Sequence, residues 1–237
     1  MLASIDIGNT QVKIGLFKED ILHEVENIAP KAILNFLREH DVSNVIISSV
    51  NKTASLVLEL KNSYADLIVL SSETEVPIGI DYETPNSLGI DRVAAAVGAI
   101  KRVNGPVAIV DAGTCITCDI IDEKNVFQGG TISPGLEMRL QAMHTFTAKL
   151  PLLKLKTPKE LVGKSTEAAM LSGVVNGSRL EIEGILGKYN KKYPKLTVII
   201  CGGNAKYFDK MKEFNIFVVP NLVLEGLNAI LRFNGKI

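Results

Sequence analysis

The sequence contains no tryptophan, only three histidines and three cysteines, and no excess of charge, since 26 Lys and Arg residues balance 26 Asp and Glu residues. A neutral balance gives no overall positive field to hold a nucleic-acid backbone or an anionic membrane. No run of about 18 apolar residues occurs, and the N-terminus lacks a basic segment followed by an apolar one. We expect a cytoplasmic protein with no nucleic acid and no membrane among its partners.

The few cysteines include a C-x-x-C pair, Cys115 and Cys118, which could be a redox or zinc motif. Residues 107–121 have the pattern of two strands around a turn, and residues three apart on a strand point to opposite faces. That geometry is poor for a shared metal or a disulfide. We interpret these cysteines as small buried residues, so carboxylates, hydroxyls and backbone amides must carry most of any chemistry.

Two common nucleotide-binding fingerprints are also absent. No G-x-G-x-x-G follows a predicted strand, and Gly163-Lys164-Ser165 has Pro158 where a P-loop needs its first glycine. The corresponding phosphate-binding folds are therefore disfavoured.

What the sequence does contain is a regular α/β alternation. Its 237 residues, 46% of them hydrophobic, are enough for one large domain or two ordinary ones. Apolar runs predict strands at 2–6, 12–17, 21–28, 45–48, 67–70, 126–132, 197–201 and near 217, besides the pair within 107–121. Helical patterns cover 30–39, 52–61, 91–103, 136–147, 165–189, a stretch after Gly202-Gly203, and the chain from 222.

A short motif recurs where one strand gives way to the next. Asp6-Ile7-Gly8 and Asp111-Ala112-Gly113 are each followed by Asn or Thr. Such a turn offers amides and hydroxyls to phosphate oxygens, and its carboxylate can hold a magnesium ion. One D-x-G turn alone is more often an ordinary hairpin, but two in matching contexts favour a nucleotide site. We predict two duplicated halves, residues 1–103 and 104–237, with a nucleotide cleft between them.

Several stretches together resemble a known family. In chain order they are 6–13 (DIGNTQVK), 82–92 (YETPNSLGIDR), 111–119 (DAGTCITCD), 129–135 (GGTISPG), 147–151 (TAKLP), 163–166 (GKST) and 202–203 (GG). They resemble the type III pantothenate kinases, members of the acetate kinase, sugar kinase, Hsp70 and actin superfamily. The resemblance implies duplicated ribonuclease-H-like halves, ATP-dependent phosphorylation of pantothenate in coenzyme A synthesis, and a homodimer.

The resemblance also implies roles for individual residues. The first phosphate loop would contain Asp6, Gly8, Asn9, Thr10 and Lys13, with Thr114 contacting ATP from the second. The G-x-D-R segment would be Gly89, Ile90, Asp91 and Arg92, in which Asp91 accepts the proton and Arg92 helps to hold pantothenate. Tyr82 and Thr166 match further substrate contacts. Asp6 would serve Mg²⁺, and Asp111 would bind a monovalent cation, K⁺ or NH₄⁺.

Each of these residues also has a structural interpretation. Asp91 could simply cap the first turn of a helix, where an acidic residue is favourable. Arg92 could be an exposed helix residue, Tyr82 ordinary packing, and Thr166 a hydroxyl at a helix start. Two glycines after a strand, Gly202 and Gly203, suggest close backbone approach to an adenine or ribose. Two other functions remain open: a different small-molecule kinase of the superfamily, and a non-catalytic regulatory protein with the same fold.

Overall fold

The structure is a computed structural model, and it describes residues 1–8, 12–49, 54–209, 211 and 214–235. The chain divides into two compact units. The first contains Met1–Asn104, Asn125–Phe127 and Asn221–Ile237, and the second contains Gly105–Lys124 and Gln128–Pro220. The first unit is therefore built from three stretches that are distant in sequence. The division into halves at 103/104 concerns the duplication and stays a prediction.

The first unit contains a five-stranded sheet and four helices. Its strands are β1 (Leu2–Ile7), β2 (Val12–Lys18), β3 (Ile21–Ile28), β4 (Asn44–Ser49) and β5 (Ile68–Val69), and its helices are α1 (Ile33–Glu39), α2 (Ala54–Ser63), α3 (Ile90–Ile100) and α6 (Leu222–Phe233). The strand order is β3-β2-β1-β4-β5. A short strand, β6 (Gly79–Ile80), pairs in parallel with Val126 and Phe127.

The second unit repeats this plan. Its elements are β7 (Val107–Ala112), β8 (Cys115–Ile121), β9 (Val126–Pro134, from Gln128 onward), α4 (Leu136–Phe146), α5 (Thr166–Lys192), β10 (Thr197–Cys201) and β11 (Asn215–Val218). The strand order β9-β8-β7-β10-β11 matches that of the first sheet. In the first sheet β1 is antiparallel to β2 and parallel to β4. In the second sheet β7 is likewise antiparallel to β8 and parallel to β10. The repeated order agrees with the repeat seen in the sequence.

The register gives the two D-x-G aspartates equivalent places. Asp6 lies opposite Lys13 of β2 and beside Ser48 of β4. Asp111 lies opposite Thr117 of β8 and beside Cys201 of β10. Each aspartate thus lies near the carboxyl end of a central strand that is paired on both sides.

The prediction and the structure differ at two elements. The helix expected after Gly202-Gly203 is a single 3-10 turn, Ala205–Tyr207. Among the described residues of that stretch, Ala205, Phe208 and Met211 are buried in the core, and a spacing of three suits a 3-10 turn rather than an α-helix. Strand β6 was not predicted, because two residues are too few to show an alternating pattern. No helix in the described part of the chain is long and apolar enough to cross a membrane.

Strand β1 is buried on both faces, as is usual for a strand with a parallel neighbour under helices. Ala3, Ile5 and Ile7 point to one apolar cluster, which includes residues of α1 and α2. Leu2 belongs to the opposite cluster, with residues of α3 and α6. Because successive residues of a strand alternate, Ser4 and Asp6 share the face of Leu2. Asp6 therefore lies on the side of the sheet that α3 and α6 cover.

Helices α3 and α6 approach so closely that two positions have no room for a side chain. A Cβ atom at Gly98 would lie 2.5 Å from the carbonyl oxygen of Leu222, and one at Gly226 would overlap the carbonyl oxygen of Ala94. At the edge of this contact, Arg102 donates two hydrogen bonds to the carboxylate of Glu225, at 2.6 and 2.7 Å. The contact fixes α6 against the helix that begins with Ile90 and Asp91.

We predict that Gly226→Ala lowers the free energy of unfolding by about 3 kcal/mol, because the added methyl group forces the two helix backbones apart. Gly184→Ala is the matched control, since Gly184 is an exposed glycine inside α5 with nothing within 4 Å of its missing Cβ. That variant should gain roughly 0.5–1 kcal/mol from helix propensity. Chemical denaturation measures both. Equal stability of Gly226→Ala and the wild type would contradict the close contact.

Candidate active site

Two predicted site carboxylates lie near each other in the first unit. Asp6 is near the end of β1, and Asp91 is the second residue of α3. Burial is the main reason that the pKa of Asp6 is raised from 3.8 to about 6. The charge of Asp91 raises it further, and the Lys13 ammonium opposes the rise. The first D-x-G motif and the G-x-D-R segment, far apart in sequence, therefore act on each other electrostatically.

Lys13 connects this carboxylate pair to the C-terminal helix. Its Nζ donates a hydrogen bond to Oδ1 of Asn221 at 3.1 Å. Asn221 is the residue just before α6, and its side chain makes no capping bond to the helix. Of the other residues predicted for this phosphate loop, Gly8 is half-buried, while Asn9 and Thr10 lie outside the described residues.

The start of α3 holds Asp91 in a defined position. Asp91 Oδ1 accepts a hydrogen bond from the backbone nitrogen of Arg92 at 2.9 Å. A Cβ atom at Gly89 would lie 2.6 Å from that same oxygen, so glycine leaves the space that the carboxylate uses. The capping interpretation of Asp91 thus accounts for one of its oxygens. The other, Oδ2, is not needed for this bond.

Arg92 is buried, with 8% of its surface exposed, so the interpretation as an exposed helix residue is wrong. Its guanidinium carbon lies 5.9 Å from the centre of the Tyr82 ring and 5.5 Å from that of Phe127. The rings are themselves 6.2 Å apart and tilted. A buried cation beside two aromatic rings is restricted in orientation. Tyr82 and Arg92, both assigned to substrate binding, therefore lie close together.

In the second unit the second D-x-G turn packs against the start of α4. The Gly135 nitrogen donates to the carbonyl oxygen of Thr114 at 3.1 Å. A Cβ atom at Gly135 would lie 2.5 Å from the carbonyl oxygen of Gly113, so the turn and the helix start touch through their backbones. Thr114 itself is exposed. Thr166 is also exposed, at the first position of α5, where the preceding Ser165 caps the helix by accepting from the Ala168 nitrogen at 3.2 Å.

The two glycines after β10 have different surroundings. Gly202 has φ of +87°, and a Cβ atom there would overlap Oδ1 of Asp111. The close backbone approach at Gly202 is therefore to a carboxylate of the protein itself. Gly203 is exposed and has nothing within 4 Å of its missing Cβ, so only this glycine keeps the space that the sequence interpretation assigned to a ligand.

None of the three cysteines forms a disulfide, and their burial differs. Cys118 and Cys201 are buried, and burial raises the pKa of the Cys118 thiol. Cys115 is exposed, so its interpretation as a buried residue is wrong. It lies at the first position of β8, where the strand emerges from the turn, and three residues later the chain faces the core.

Comparison with known proteins shows the family. The sequence profile described as type III pantothenate kinase matches residues 2–188. A type III pantothenate kinase from Cytophaga hutchinsonii is 43% identical over 233 residues, which cover 97% of this chain and 98% of that relative. The chain belongs to the type III pantothenate kinase family.

Solved structures show the fold of this type III pantothenate kinase. A Campylobacter jejuni protein named as a Baf family transcriptional activator aligns with a TM-score of 0.67 and 22% identity, over 99% of this chain and all of that one. A protein from Sinorhizobium meliloti named as a 2-dehydro-3-deoxygalactonokinase aligns with a TM-score of 0.64 and 13% identity over the whole of both chains. At these identities the likeness concerns the fold, which is the predicted duplicated α/β fold of sugar kinases and actin-like ATPases.

The donors available to a metal ion in this pantothenate kinase are few. Among the described residues, no group of three or more His, Cys, Asp or Glu side chains could hold an ion. Mg²⁺ is commonly bound by one or two carboxylates, with water and substrate phosphates completing its shell. Asp6 fits that pattern, because a nearby cation would stabilise its ionised carboxylate against the burial and the repulsion from Asp91 that raise its pKa.

Two residues of the site were missed by the sequence interpretation. Phe127 reads as one apolar residue of a strand, and nothing local indicates that its ring faces Arg92. Asn221 precedes a helix, a position where asparagine is common as a cap, so its sequence context indicates a different role from the one observed.

The raised pKa of Asp6 predicts a pH-dependent loss of stability. A carboxyl group with a higher pKa in the folded state keeps its proton more tightly there, so its ionisation favours unfolding. Stability should fall as the pH rises from the unfolded pKa, 3.8, through the folded one, about 6, and then level off. The shift of about two units corresponds to about 3 kcal/mol.

Replacing Asp6 by Asn should remove this loss. From about pH 3.5 to pH 7.5, Asp6→Asn should gain about 3 kcal/mol in unfolding free energy relative to the wild type. Urea denaturation of the magnesium-free proteins across that range measures the difference. Glu123→Gln, in an exposed turn, controls for the loss of one negative charge. Parallel pH curves for Asp6→Asn and the wild type would rule out the effect.

Proposed function

We propose that the chain transfers the γ-phosphoryl group of ATP to the hydroxyl group of pantothenate, which gives 4′-phosphopantothenate in the first step of coenzyme A synthesis. The observation that carries this proposal is that the charges of Asp91 and Lys13 both act on the pKa of the buried Asp6 carboxyl group. It connects the phosphate motif and the substrate motif of the family within one unit. Family membership supports pantothenate as the alcohol.

Asp91 acts as the proton acceptor. Phosphoryl transfer has a loose transition state, so it needs alignment and charge neutralisation more than a strong base. With Oδ1 occupied by the Arg92 amide, Oδ2 accepts a hydrogen bond from the pantothenate hydroxyl and takes the proton late in the reaction. The defined position of this carboxylate at the start of α3 suits such an orienting role.

Arg92 and Tyr82 hold pantothenate, with the backbone of Gly89 and Ile90. The support is the buried side chain of Arg92, whose guanidinium lies beside the rings of Tyr82 and Phe127. A guanidinium in such surroundings binds a carboxylate or amide oxygen strongly, because little water competes. Thr166, exposed at the start of α5, is a further proposed substrate contact.

Each D-x-G turn offers groups that can bind nucleotide phosphates. Asp6, Gly8, Asn9, Thr10 and Lys13 belong to the first turn, and Thr114 to the second. Mg²⁺ near Asp6 would supply charge neutralisation on the phosphate oxygens. Lys13, as a fixed ammonium group, adds positive charge next to that carboxylate.

We also propose that the protein is a cytoplasmic homodimer. Several large apolar side chains of the second unit are left in water: Ile132, Met138, Phe146, Leu152, Leu161, Val162 and Leu180. Phe146 is 86% exposed, which is unusual for a ring outside an interface. A second copy covering such side chains would remove them from water. Light scattering that gave the mass of a single 25.7 kDa chain would contradict the dimer.

The first test of the proposed function is an ATP-dependent phosphorylation assay with pantothenate and a panel of other small alcohols. We expect product from pantothenate alone. Asp91→Asn should lower kcat by roughly 10²- to 10⁴-fold while MgATP affinity stays close to that of the wild type. Product from another alcohol in place of pantothenate would favour a different kinase activity. An Asp91→Asn protein that had lost its nucleotide affinity would contradict the role of Asp91.

A second test concerns a monovalent cation at Asp111. Two like unit charges about 4 Å apart repel by roughly 4 kcal/mol at an effective dielectric constant near 20, so a carboxylate facing nucleotide phosphates needs a cation. We expect K⁺ or NH₄⁺ to raise the activity, and Asp111→Ala to abolish this response. The assay compares both proteins in an organic-cation buffer with and without KCl. Full wild-type activity without either ion would rule out the cation.

A further inference from the structure

We propose that Asn221 is a positioning residue for phosphoryl transfer, because its side-chain oxygen holds the Lys13 ammonium at the first phosphate turn. The proposal rests on the proposed function, in which Lys13 acts on the nucleotide phosphates. The Lys13–Asn221 hydrogen bond, 3.1 Å long, joins two residues more than two hundred positions apart in the chain.

The side chain of Asn221 has given up the local bond that its position offers. An asparagine just before a helix usually accepts a hydrogen bond from an amide of the first turn. Here the only helical bond of Asn221 is through its backbone carbonyl, which accepts from the Glu225 nitrogen at 3.0 Å. Its Oδ1 is directed to Lys13 instead. A residue that departs from its local preference in this way is typical of a functional site.

The position of Asn221 is also fixed by the packing of the residues that follow it. The next residue, Leu222, is fully buried, and its carbonyl oxygen lies against Gly98 of α3. Gly226, one turn on, touches the backbone of Ala94. Helix α3 is the element that begins with the segment of Asp91 and Arg92. The hydrogen bond therefore fixes Lys13 relative to α3 and α6, the same pair of helices that positions Asp91.

The choice of an amide as the acceptor matters. A free lysine ammonium on four methylene groups has many rotamers, which must be restricted when it binds a phosphate. One neutral acceptor restricts the ammonium beforehand and adds no negative charge beside it. A carboxylate at this position would hold Lys13 equally well but would cancel its charge. Asn221 thus orients the cation without neutralising it.

The experiment measures MgATP binding by calorimetry in the absence of pantothenate, so that it does not depend on which alcohol is phosphorylated. Asn221→Ala should weaken MgATP binding by about tenfold, the effect of one hydrogen bond to a charged group. Asn221→Ser is the decisive variant, because serine caps a helix as well as asparagine does but is too short to reach Lys13. It should bind MgATP as weakly as Asn221→Ala.

Two comparisons separate positioning from general loosening of α6. Asn234→Ala removes an asparagine at the other end of the same helix, where its Nδ2 donates to the carbonyl oxygens of Glu75 and Ile230, and it should bind MgATP like the wild type. In a Lys13→Met background, Asn221→Ala should have no further effect, since the group it positions is gone.

Several outcomes would overturn the proposal. They are unchanged MgATP affinity in Asn221→Ala, wild-type affinity in Asn221→Ser, an equal loss in Asn234→Ala, or an undiminished effect in the Lys13→Met background. In steady-state assays, the KM for pantothenate should stay unchanged in Asn221→Ser. If the wild type binds MgATP but forms no phosphopantothenate, the proposed function fails while the binding result still decides the role of Asn221.

Discussion

The first unit depends on the backbone contact between α3 and α6, which two glycines make possible. Without side chains at Gly98 and Gly226, each helix packs against a carbonyl oxygen of the other. Helix α6 comes from the end of the chain, so the unit is complete only when the C-terminal segment returns to it. The side chains of the candidate site begin at the ends of these helices and at the end of β1. Their arrangement is therefore set by packing between distant segments, and local sequence contributes little to it.

This packing buries the carboxyl group of Asp6, which makes its ionisation unfavourable for folding. Asp6 shares a face of β1 with the apolar cluster under α3 and α6, and its ionised form is disfavoured by burial and by Asp91. Lys13 offsets part of that cost and is itself held by Asn221. An apolar residue in place of Asp6 would suit the core better. The site therefore stores a local instability that binding of a metal ion and phosphates would relieve, which is a common relation between stability and function.

The sequence was sufficient for most of the fold because periodicity reports which face of an element is buried. Strand β10 was predicted with its observed bounds, and α4 and the two strands around the second D-x-G turn within a residue or two. Failures occurred where an element is too short to show a period, as in β6, or where core anchors are three apart, as after Gly203. The repeat of Asp and Gly predicted two duplicated halves, and the structure adds that strands β1–β5 and β7–β11 follow the same order.

The candidate site was predictable as a set of motifs but not as a set of contacts. The repeated D-x-G turn pointed to Asp6, whereas the family resemblance pointed to Asp91, because an acidic residue at a helix start is common for structural reasons alone. Composition and spacing could not show that Arg92 is buried beside two rings, since Phe127 comes from another element. They also assigned Gly202 to a ligand, whereas its neighbour is Asp111. The periodicity of a single sequence shows which face of an element is buried, but it does not show which distant residue a side chain contacts.

The two D-x-G turns have the same register but different charges around them, which explains how a duplicated site becomes asymmetric. Asp6 lies opposite Lys13, so a lysine side chain supplies positive charge beside the first aspartate. Asp111 lies opposite Thr117 and beside Cys201, and neither of these register neighbours carries a charge. A phosphate beside Asp6 would therefore have a lysine at the register position opposite the carboxylate, whereas a phosphate beside Asp111 would have a threonine there. The monovalent cation proposed at Asp111 would supply in the second unit the positive charge that Lys13 supplies in the first.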